Sequence, residues 1–489
     1  MIWRVRELPI CFRFYLKAHP PNQSQSHVLA KGLKRFEGFE SFMARILWGS
    51  EQPLRPTGYA VVSREIIKRL IADYGHEVHV IGWDYNGEDF KHEEGWILKH
   101  CGLQFGASEP LQIGVENSPT VLDYHLQTVE PDVYLSLVDC WFCGHMVQST
   151  NKAGVPYIGY FPIDGVPISN QWTPILAHTH TPLWMSEFGR QQFKEFVAKY
   201  RPDGNGHENL KMPDLDRFNL DNDDDFPMIH HGVDIDTFKP LSLTDKEIMR
   251  GKLGIKWETV LSSIGRNTNR KQIPRLLRAL RIALDKLGDD NAIGIILHCG
   301  DPLDQMNQGG WKLPELIKQY ELVGNVMFSD GSSNPLHGIS RDDIANLLGC
   351  SDAHVLATGG EGFGIPSAEA MGVGIPIILP DNSTGPELIG LNNERGWLVP
   401  CSDSITGPRW GVDLGLVDIE ALADTLIELH QSPIERIKRG KAARKFVVEN
   451  LDWDLITRQF HDLIESRIGM NHPMQELLES RAGGEEPVE

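Results

Sequence analysis

The sequence predicts an α/β protein built as two parallel-sheet halves. Short apolar stretches alternate with amphipathic ones from Met43 onward, the pattern of strands joined by helical crossovers. The same plan begins again near residue 242, and glycine-rich turns follow two of the later strands, where open α/β sheets hold ligands. At 489 residues the chain has room for two to four domains of about 100–200 residues each.

In the first half, Ala44–Trp48 reads as a strand that runs into a loop containing Pro53, Pro56 and Gly58. Val61–Tyr74 follows with helical spacing: Val62, Ile66, Ile67, Leu70 and Ile71 share one face, and Gly75 serves as the C-cap. Further strands are Val78–Gly82, Val133–Val138, Tyr157–Tyr160 and Pro182–Met185, with Pro227–His231 closing the sheet. Residues 202–225 are polar and acidic, ending Asp223-Asp224-Asp225, and read as an exposed loop.

In the second half the strands are Thr259–Ile264, Ala292–Cys299, Val326–Phe328, Ala353–Leu356 and Pro376–Leu379. Helical segments are Pro274–Leu287, Arg341–Leu348, Val417–Gln431 and Ile434–Asn450, and Trp453–Ile468 is a long amphipathic helix. These boundaries predict a first domain over 43–241, a second over 242–450 and a final helix over 451–470. The polar tail 471–489 has the composition of a disordered segment. Residues 1–42 carry seven Lys/Arg against three Glu and a linker-like Pro20-Pro21-Asn22-Gln23-Ser24 stretch. They read as an appendage outside the core fold; the competing readings are a natural start at Met43 or a weak membrane-surface helix over Trp3–Lys17.

Bulk properties narrow the partners. Hydrophobic residues make up 41% of the chain and charged residues 23%, an ordinary globular balance. No apolar run approaches the roughly 18–20 residues of a membrane span, and Arg4, Arg6, Arg13 and Lys17 interrupt any secretory-type start. At a formal net charge of −20, nonspecific binding to nucleic acid or anionic lipid is disfavoured. Seven cysteines without an export signal point to a reducing, cytoplasmic setting. Cys140-x-x-Cys143 has no second pair to complete a zinc site and reads as packed thiols. Asp214-x-Asp216 sits in a loop rather than at a rigid strand end, and His178 and His180 are two apart, so neither reads as a metal site.

Two segments carry the chemistry. The first is Glu361-Gly362-Phe363-Gly364-Ile365-Pro366-Ser367-Ala368-Glu369, which follows a strand and opens a helix. Its glycines allow a tight, close approach of backbone to ligand, and Pro366 suits the first helical turn. The amides of Ile365, Ser367 and Ala368 are expected to point into the cleft at the positive end of the helix dipole, which makes a phosphate site. Glu361 and Glu369 bracket that site as acceptors for sugar and ribose hydroxyls. The second is Gly265-Arg266-Asn267-Thr268-Asn269-Arg270-Lys271, just after a strand, where Arg266 and Lys271 are placed to neutralise a diphosphate.

Together these segments resemble the family 4 (group 1) retaining glycosyltransferases of the GT-B fold. The resemblance runs over roughly Met43–Ile468. It rests on Glu361 and Glu369 as the E-x7-E motif followed by Ala370-Met371-Gly372-Val373-Gly374-Ile375-Pro376, and on Gly265, Arg266 and Lys271. It also rests on His231-Gly232-Val233-Asp234 with Phe238 and Pro240, and on Gly75-His76-Glu77-Val78. It implies two Rossmann-like domains facing each other across a cleft, with the C-terminal helix crossing back to the N-terminal domain. It further implies that Arg266 and Lys271 bind the donor diphosphate and that Glu369 holds ribose hydroxyls. Glu361 would hold donor-sugar hydroxyls with the Phe363 and Gly364 amides, and the Gly58 loop would close over the reaction centre. The chain departs from the family in three places. Ala357-Thr358-Gly359-Gly360 stands where a Ser often precedes the first Glu. Thr57-Gly58 replaces a paired glycine. No His lies in Gly159–Pro167, where Asp164 is the substitute candidate for touching the transferring sugar.

The expected activity is therefore metal-independent, retaining transfer of a hexose-type sugar from a nucleotide-diphosphate sugar. The acceptor stays open among a glycan, a lipid and a small molecule, with a sugar or lipid-linked partner expected; no further cofactor is required, nucleic acid is not a partner, and membrane contact is at most peripheral. Two alternatives stay open: another enzyme of the same fold, such as a nucleotide-sugar epimerase or a phosphorylase, and a non-catalytic sugar-nucleotide-binding subunit.

Overall fold

The computed structural model describes residues 43–468 apart from 84, 102–118, 301, 304–308, 330–338 and 408–410. Residues 1–42 and the tail beyond 468 lie outside the described residues, and so do the expectations placed on them. The described elements belong to one compact unit that begins at Ala44.

Two open sheets form the frame. The first has seven strands in the order β3-β4-β2-β1-β5-β6-β7, namely β1 Arg45–Glu51, β2 Glu77–Trp83, β3 Phe90–Lys91, β4 Ile97–Lys99, β5 Val133–Leu137, β6 Tyr157–Phe161 and β7 Thr181–Trp184. All neighbours are parallel except the short edge strand β3. The second has six parallel strands in the order β10-β9-β8-β11-β12-β13: β8 Thr259–Ile264, β9 Ile293–His298, β10 Val326–Phe328, β11 Ala353–Val355, β12 Ile377–Pro380 and β13 Gly396–Val399. A separate antiparallel hairpin comes next, β14 Cys401–Thr406 and β15 Asp413–Val417. Strands β1, β2, β5, β6 and β7 are buried on both faces almost throughout, as parallel sheets covered by helices must be.

The helices follow from apolar spacing and from their caps. Ile273–Leu287 buries Leu276, Leu277, Leu280, Ala283 and Leu284 on one stripe. Pro274 stands in its first turn, and Gly288 stops it in the left-handed region at φ +67. Gly58–Ala72 starts one residue after Thr57, whose hydroxyl accepts from the Ala60 amide. Its cap is Asp73 rather than Gly75: the helix closes with Asp73 N–H on Arg69 O, and Gly75 turns the chain two residues later, bonding Ile71 O at 3.0 Å. Of Pro227–His231, only Met228 joins the first sheet, through one bridge to Trp184, because the chain already turns there toward the second half.

The 202–225 segment is exposed along much of its length but anchored. Leu215 and Phe218 within it and Phe226 just beyond it are buried, and the rings of Phe218 and Phe226 pack on Phe193 at 5.1 and 5.7 Å. The polar composition hid these aromatic anchors. Cys140 and Cys143 are both buried in the short turn that leads into the Gly144–Ala153 helix.

The final helix, Trp453–Arg467, returns to the first half and lies on the Gly58–Ala72 helix. Phe460 meets Tyr160 edge-on at 5.1 Å, and Arg69 pairs with Asp454 at 2.8 Å. Val233 bridges Asp452, and a Cβ on Gly232 would collide with the Trp453 ring at 2.3 Å. A continuous apolar layer from Trp48 and Leu70 through Phe238 and Met371 to Val447 and Phe460 joins both halves and this helix.

Candidate functional site

The β8 end sets the cationic side. Gly265 leaves room for the Lys271 stem, whose Cε would lie 3.3 Å from an added Cβ. The turn is pinned by Asn267, which accepts from Trp311 N–H at 3.1 Å and donates to Trp311 O at 2.7 Å. Gly359 N–H donates to Arg270 O at 2.7 Å and so fixes the turn against the glycine-rich loop. Arg266 is exposed, and its guanidinium has no hydrogen bond or ion pair among the described residues. Lys271 is partly buried in the cleft, with Nζ 2.5 Å from Glu361 Oε1.

After β11, Gly359–Gly364 forms the loop and Ile365–Gly372 the helix. Gly364 has φ +98, a conformation that other residues rarely adopt. Contrary to the sequence expectation, the Ser367 and Ala368 amides are not free; both donate to Gly364 O, at 3.0 and 3.1 Å, because the helix closes its first turn on that carbonyl. The amides of Phe363, Gly364 and Ile365 have no acceptor among the described residues. The Ser367 hydroxyl, also at this end, is buried and has no partner among the described residues. Phe363 is itself buried, its ring against His230 and His231 at 5.5 and 5.1 Å, which leaves only its backbone for a ligand.

The two glutamates occupy different environments. Glu361 is held by Lys271 and by Arg270 Nη1 at 3.1 Å, and its amide donates to Ser383 Oγ at 3.0 Å. Burial alone would raise its carboxyl pKa, but the Lys271 and Arg270 charges overcome this and hold it at about 2. Glu369 is 3% exposed and pairs with Arg341, which stacks over Phe238 at 4.6 Å. Here burial prevails over Arg341, and the carboxyl is raised above its usual value.

The first half faces this loop closely. A Cβ on Gly360 would meet the Asp164 carbonyl oxygen, and one on Gly362 would meet Pro162 at 2.5 Å. A Cβ added to Gly58, exposed at the start of its helix, would lie 3.6 Å from Ile365 Cδ1. Asp164 Oδ2 lies 3.4 Å from Arg270 Nε. Asp139, two residues beyond β5, accepts from Tyr59 OH at 3.2 Å. Burial and the neighbouring Asp164 raise its carboxyl pKa to about 7, against the pull of Tyr59 and Arg270.

The structure thus brings Glu361, Asp164, Lys271, Gly265, Gly58, Phe363, Gly364 and Ile365 together, with Glu369 one helical turn behind; Arg266 is exposed on the Gly265–Lys271 turn, and no contact of its side chain among the described residues ties it to this group. Sequence reasoning missed Arg270, which bridges Asp164 and Glu361, and also Arg341, Tyr59 and Asp139. Arg270 stood beside a motif residue; the others come from distant elements and leave no local signal. Asp214 pairs with His178 at 3.1 Å and Asp216 lies 3.7 Å from Arg201. Among the described residues no group of three or more His, Cys, Asp or Glu is placed to hold a metal ion, and no helix is long and apolar enough to cross a membrane.

The fold and the cleft define a GT-B protein: two Rossmann-like sheets facing each other, a helix start lined with unpaired donors, and a terminal helix that crosses back. Solved structures share this architecture. Sucrose-phosphate synthase from Thermosynechococcus elongatus matches with a TM-score of 0.65 and 16% identity, over 89% of this chain and 100% of that one. Anabaena HepE in complex with UDP-glucose matches with a TM-score of 0.61 and 17% identity, over 86% and 100%. Residues 245–406 match the family described as glycosyl transferases group 1. A GDP-mannose-dependent monoacylated alpha-(1-6)-phosphatidylinositol monomannoside mannosyltransferase of Corynebacterium glutamicum is 25% identical over 251 residues, 49% of this chain and 56% of the relative. The match spans between 31% and 56% of the length of four such curated relatives, this one among them.

Proposed function

We propose that the chain transfers a hexose-type sugar from a nucleotide-diphosphate sugar to an acceptor hydroxyl, with retention and without a metal. One observation carries the reading. The Phe363, Gly364 and Ile365 amides and the buried Ser367 hydroxyl are donors without a partner among the described residues at one helix start, next to the loop that meets Asp164. Buried donors without partners are costly, and a diphosphate satisfies them. HepE was solved with UDP-glucose, and the Corynebacterium relative is named for GDP-mannose and a lipid-linked mannoside; both support a nucleotide-sugar donor here.

In this reading the donor phosphates sit on the free amides, with Arg266 and Lys271 stabilising the leaving charge. The diphosphate competes with Glu361 for Lys271, and Glu361 is then released to accept hydrogen bonds from sugar hydroxyls. Glu369 accepts from the ribose hydroxyls, its charge balanced by Arg341. As the anomeric C–O bond to phosphate breaks, the acceptor oxygen bonds to the same face and its proton passes to the departing phosphate. Asp164 lies where it can touch the transferring sugar. The two domains are taken as 43–241 and 242–450.

The test is a panel of UDP-, GDP-, ADP- and dTDP-sugars read by thermal shift and by donor hydrolysis, with and without EDTA. Stabilisation and turnover by one donor, insensitive to EDTA and lost in Lys271→Ala and Glu369→Ala, is the expected result. Folded protein that binds none of them sinks the reading. An inverted product by NMR removes the retaining step alone.

A further inference from the structure

Strand β15 belongs to neither sheet, and the family match ends at residue 406, before it begins. Its contacts reach both sides of the cleft. At one end Asp413 exchanges two backbone bonds with Val166: Asp413 N–H donates to Val166 O at 2.5 Å, and Val166 N–H donates to Asp413 O at 3.3 Å. Gly165 fits beneath this contact only because it lacks a side chain. A Cβ there would lie 2.5 Å from Asp413 O and 2.7 Å from Val412 Cγ1. Val412 is buried and belongs to the apolar cluster of the first half, with Ile163 and Ile168.

Two residues further along, the same strand grips the donor side. Gly415 N–H donates to Gly359 O at 2.9 Å, and Gln272 Nε2 donates to Gly415 O at 2.6 Å. Val417 packs in the core of the second half, and its carbonyl accepts from Arg275 Nε at 2.8 Å. Five residues of strand therefore tie the loop of Asp164 to the loop of Glu361.

We propose that β15 and Val412 form a strap across the cleft that positions Asp164 against Arg270 and Glu361. They are positioning residues: none of them need touch the donor. The strap holds the two loops at the separation in which an acceptor from the first half meets the donor sugar of the second, and it keeps water from replacing that acceptor. Breaking it should lower transfer while the donor phosphates still bind, because the free amides, Arg266 and Lys271 all belong to the second half.

The proposal rests on the glycosyl-transfer reading, and its test separates the two. Gly165→Ala places a methyl group against Asp413 O; Val412→Ala removes the apolar anchor with little risk to folding. Amide hydrogen exchange needs no activity. The expected result is at least tenfold faster exchange at Asp413 and Val166 in both variants, with the β8 and β12 amides unchanged. With the donor identified by the sugar-nucleotide panel, transfer should fall at least tenfold in kcat, the donor KM should stay within twofold, and hydrolysis should rise relative to transfer. Unchanged exchange at Asp413 overturns the strap, and so does a loss of donor affinity that parallels the loss of transfer. If the wild type binds no nucleotide sugar, the exchange result still decides whether the strap exists, while the functional reading fails by itself.

Discussion

Lys271, Glu361 and Arg270 show how one buried charge cluster is held ready for a ligand. Burial lowers the Lys271 pKa, but Glu361 opposes that shift at 2.5 Å. Removing Glu361 leaves the Lys271 charge uncompensated, which for a buried pair typically costs about 3–5 kcal/mol; removing Lys271 costs less, because Arg270 still pairs with Glu361 at 3.1 Å. Lys271→Ala should therefore lower the melting temperature as well as abolish donor-induced stabilisation, and Lys271→Ala with Glu361→Gln should recover much of the melting temperature but none of the donor response. Differential scanning fluorimetry with and without donor checks both. The Glu361 carboxyl is depressed to about 2, so its contribution is present above the ordinary carboxylate pKa and is lost as pH falls toward 2. Asp139 runs the other way. Its folded pKa of about 7 lies above the ordinary 3.8, so the folded state keeps a proton that the unfolded chain releases. Stability from neutral Asp139 is complete below about pH 4 and declines as pH rises through 7. Asp139→Asn stays neutral and should be more stable than wild type at pH 8, by on the order of 2 kcal/mol, with the gap closing by pH 4. Urea titrations at the two pH values measure it; a pH-independent difference would exclude the titration.

At the level of secondary structure, the glycine-rich loop and the helix it opens act as one device. Gly364 at φ +98 lets the chain reverse so that three amides remain unpaired. Gly364→Ala forces a side chain into that region at a cost of about 1–2 kcal/mol and should turn the amides away from the ligand. The expected outcome is a modest drop in stability with donor affinity down at least tenfold, read by calorimetry; affinity unchanged would show that the helix start does not hold the phosphates. The Ile273–Leu287 helix has the opposite role. Leu280 is fully buried, far from any ligand group, and Leu280→Ala should cost about 2–5 kcal/mol while leaving donor affinity per folded molecule unchanged.

Across the protein, the terminal helix and the strap join the two halves at different places. The helix buries Trp453, Ile456, Phe460 and Ile464 against the first half and the linking segment. Trp453→Ala should lose about 3–5 kcal/mol, and because Gly232 touches that ring the two halves should loosen together. A melt that separates into two transitions in this variant, against one in the wild type, is the expected calorimetric signature.

The frame of the molecule is written in local pattern. Parallel strands buried on both faces favour short runs dominated by apolar and small residues, so β1, β5, β8 and β12 were legible from local pattern, and the Ile273–Leu287 stripe was legible from its period. The Gly265–Lys271 turn and the Glu361–Glu369 segment were legible too, because tight turns demand glycine and a phosphate-type turn leads straight into a helix start. Packing settled which amides stay unpaired, since Gly364 O takes those of Ser367 and Ala368. It also brought Arg270 between Asp164 and Glu361, placed Arg341 on Glu369, buried Phe218 and Phe226 under a polar loop, and laid β15 across the cleft. Each of these pairs residues far apart in the chain, and a local pattern carries no record of which distant surface a side chain will meet.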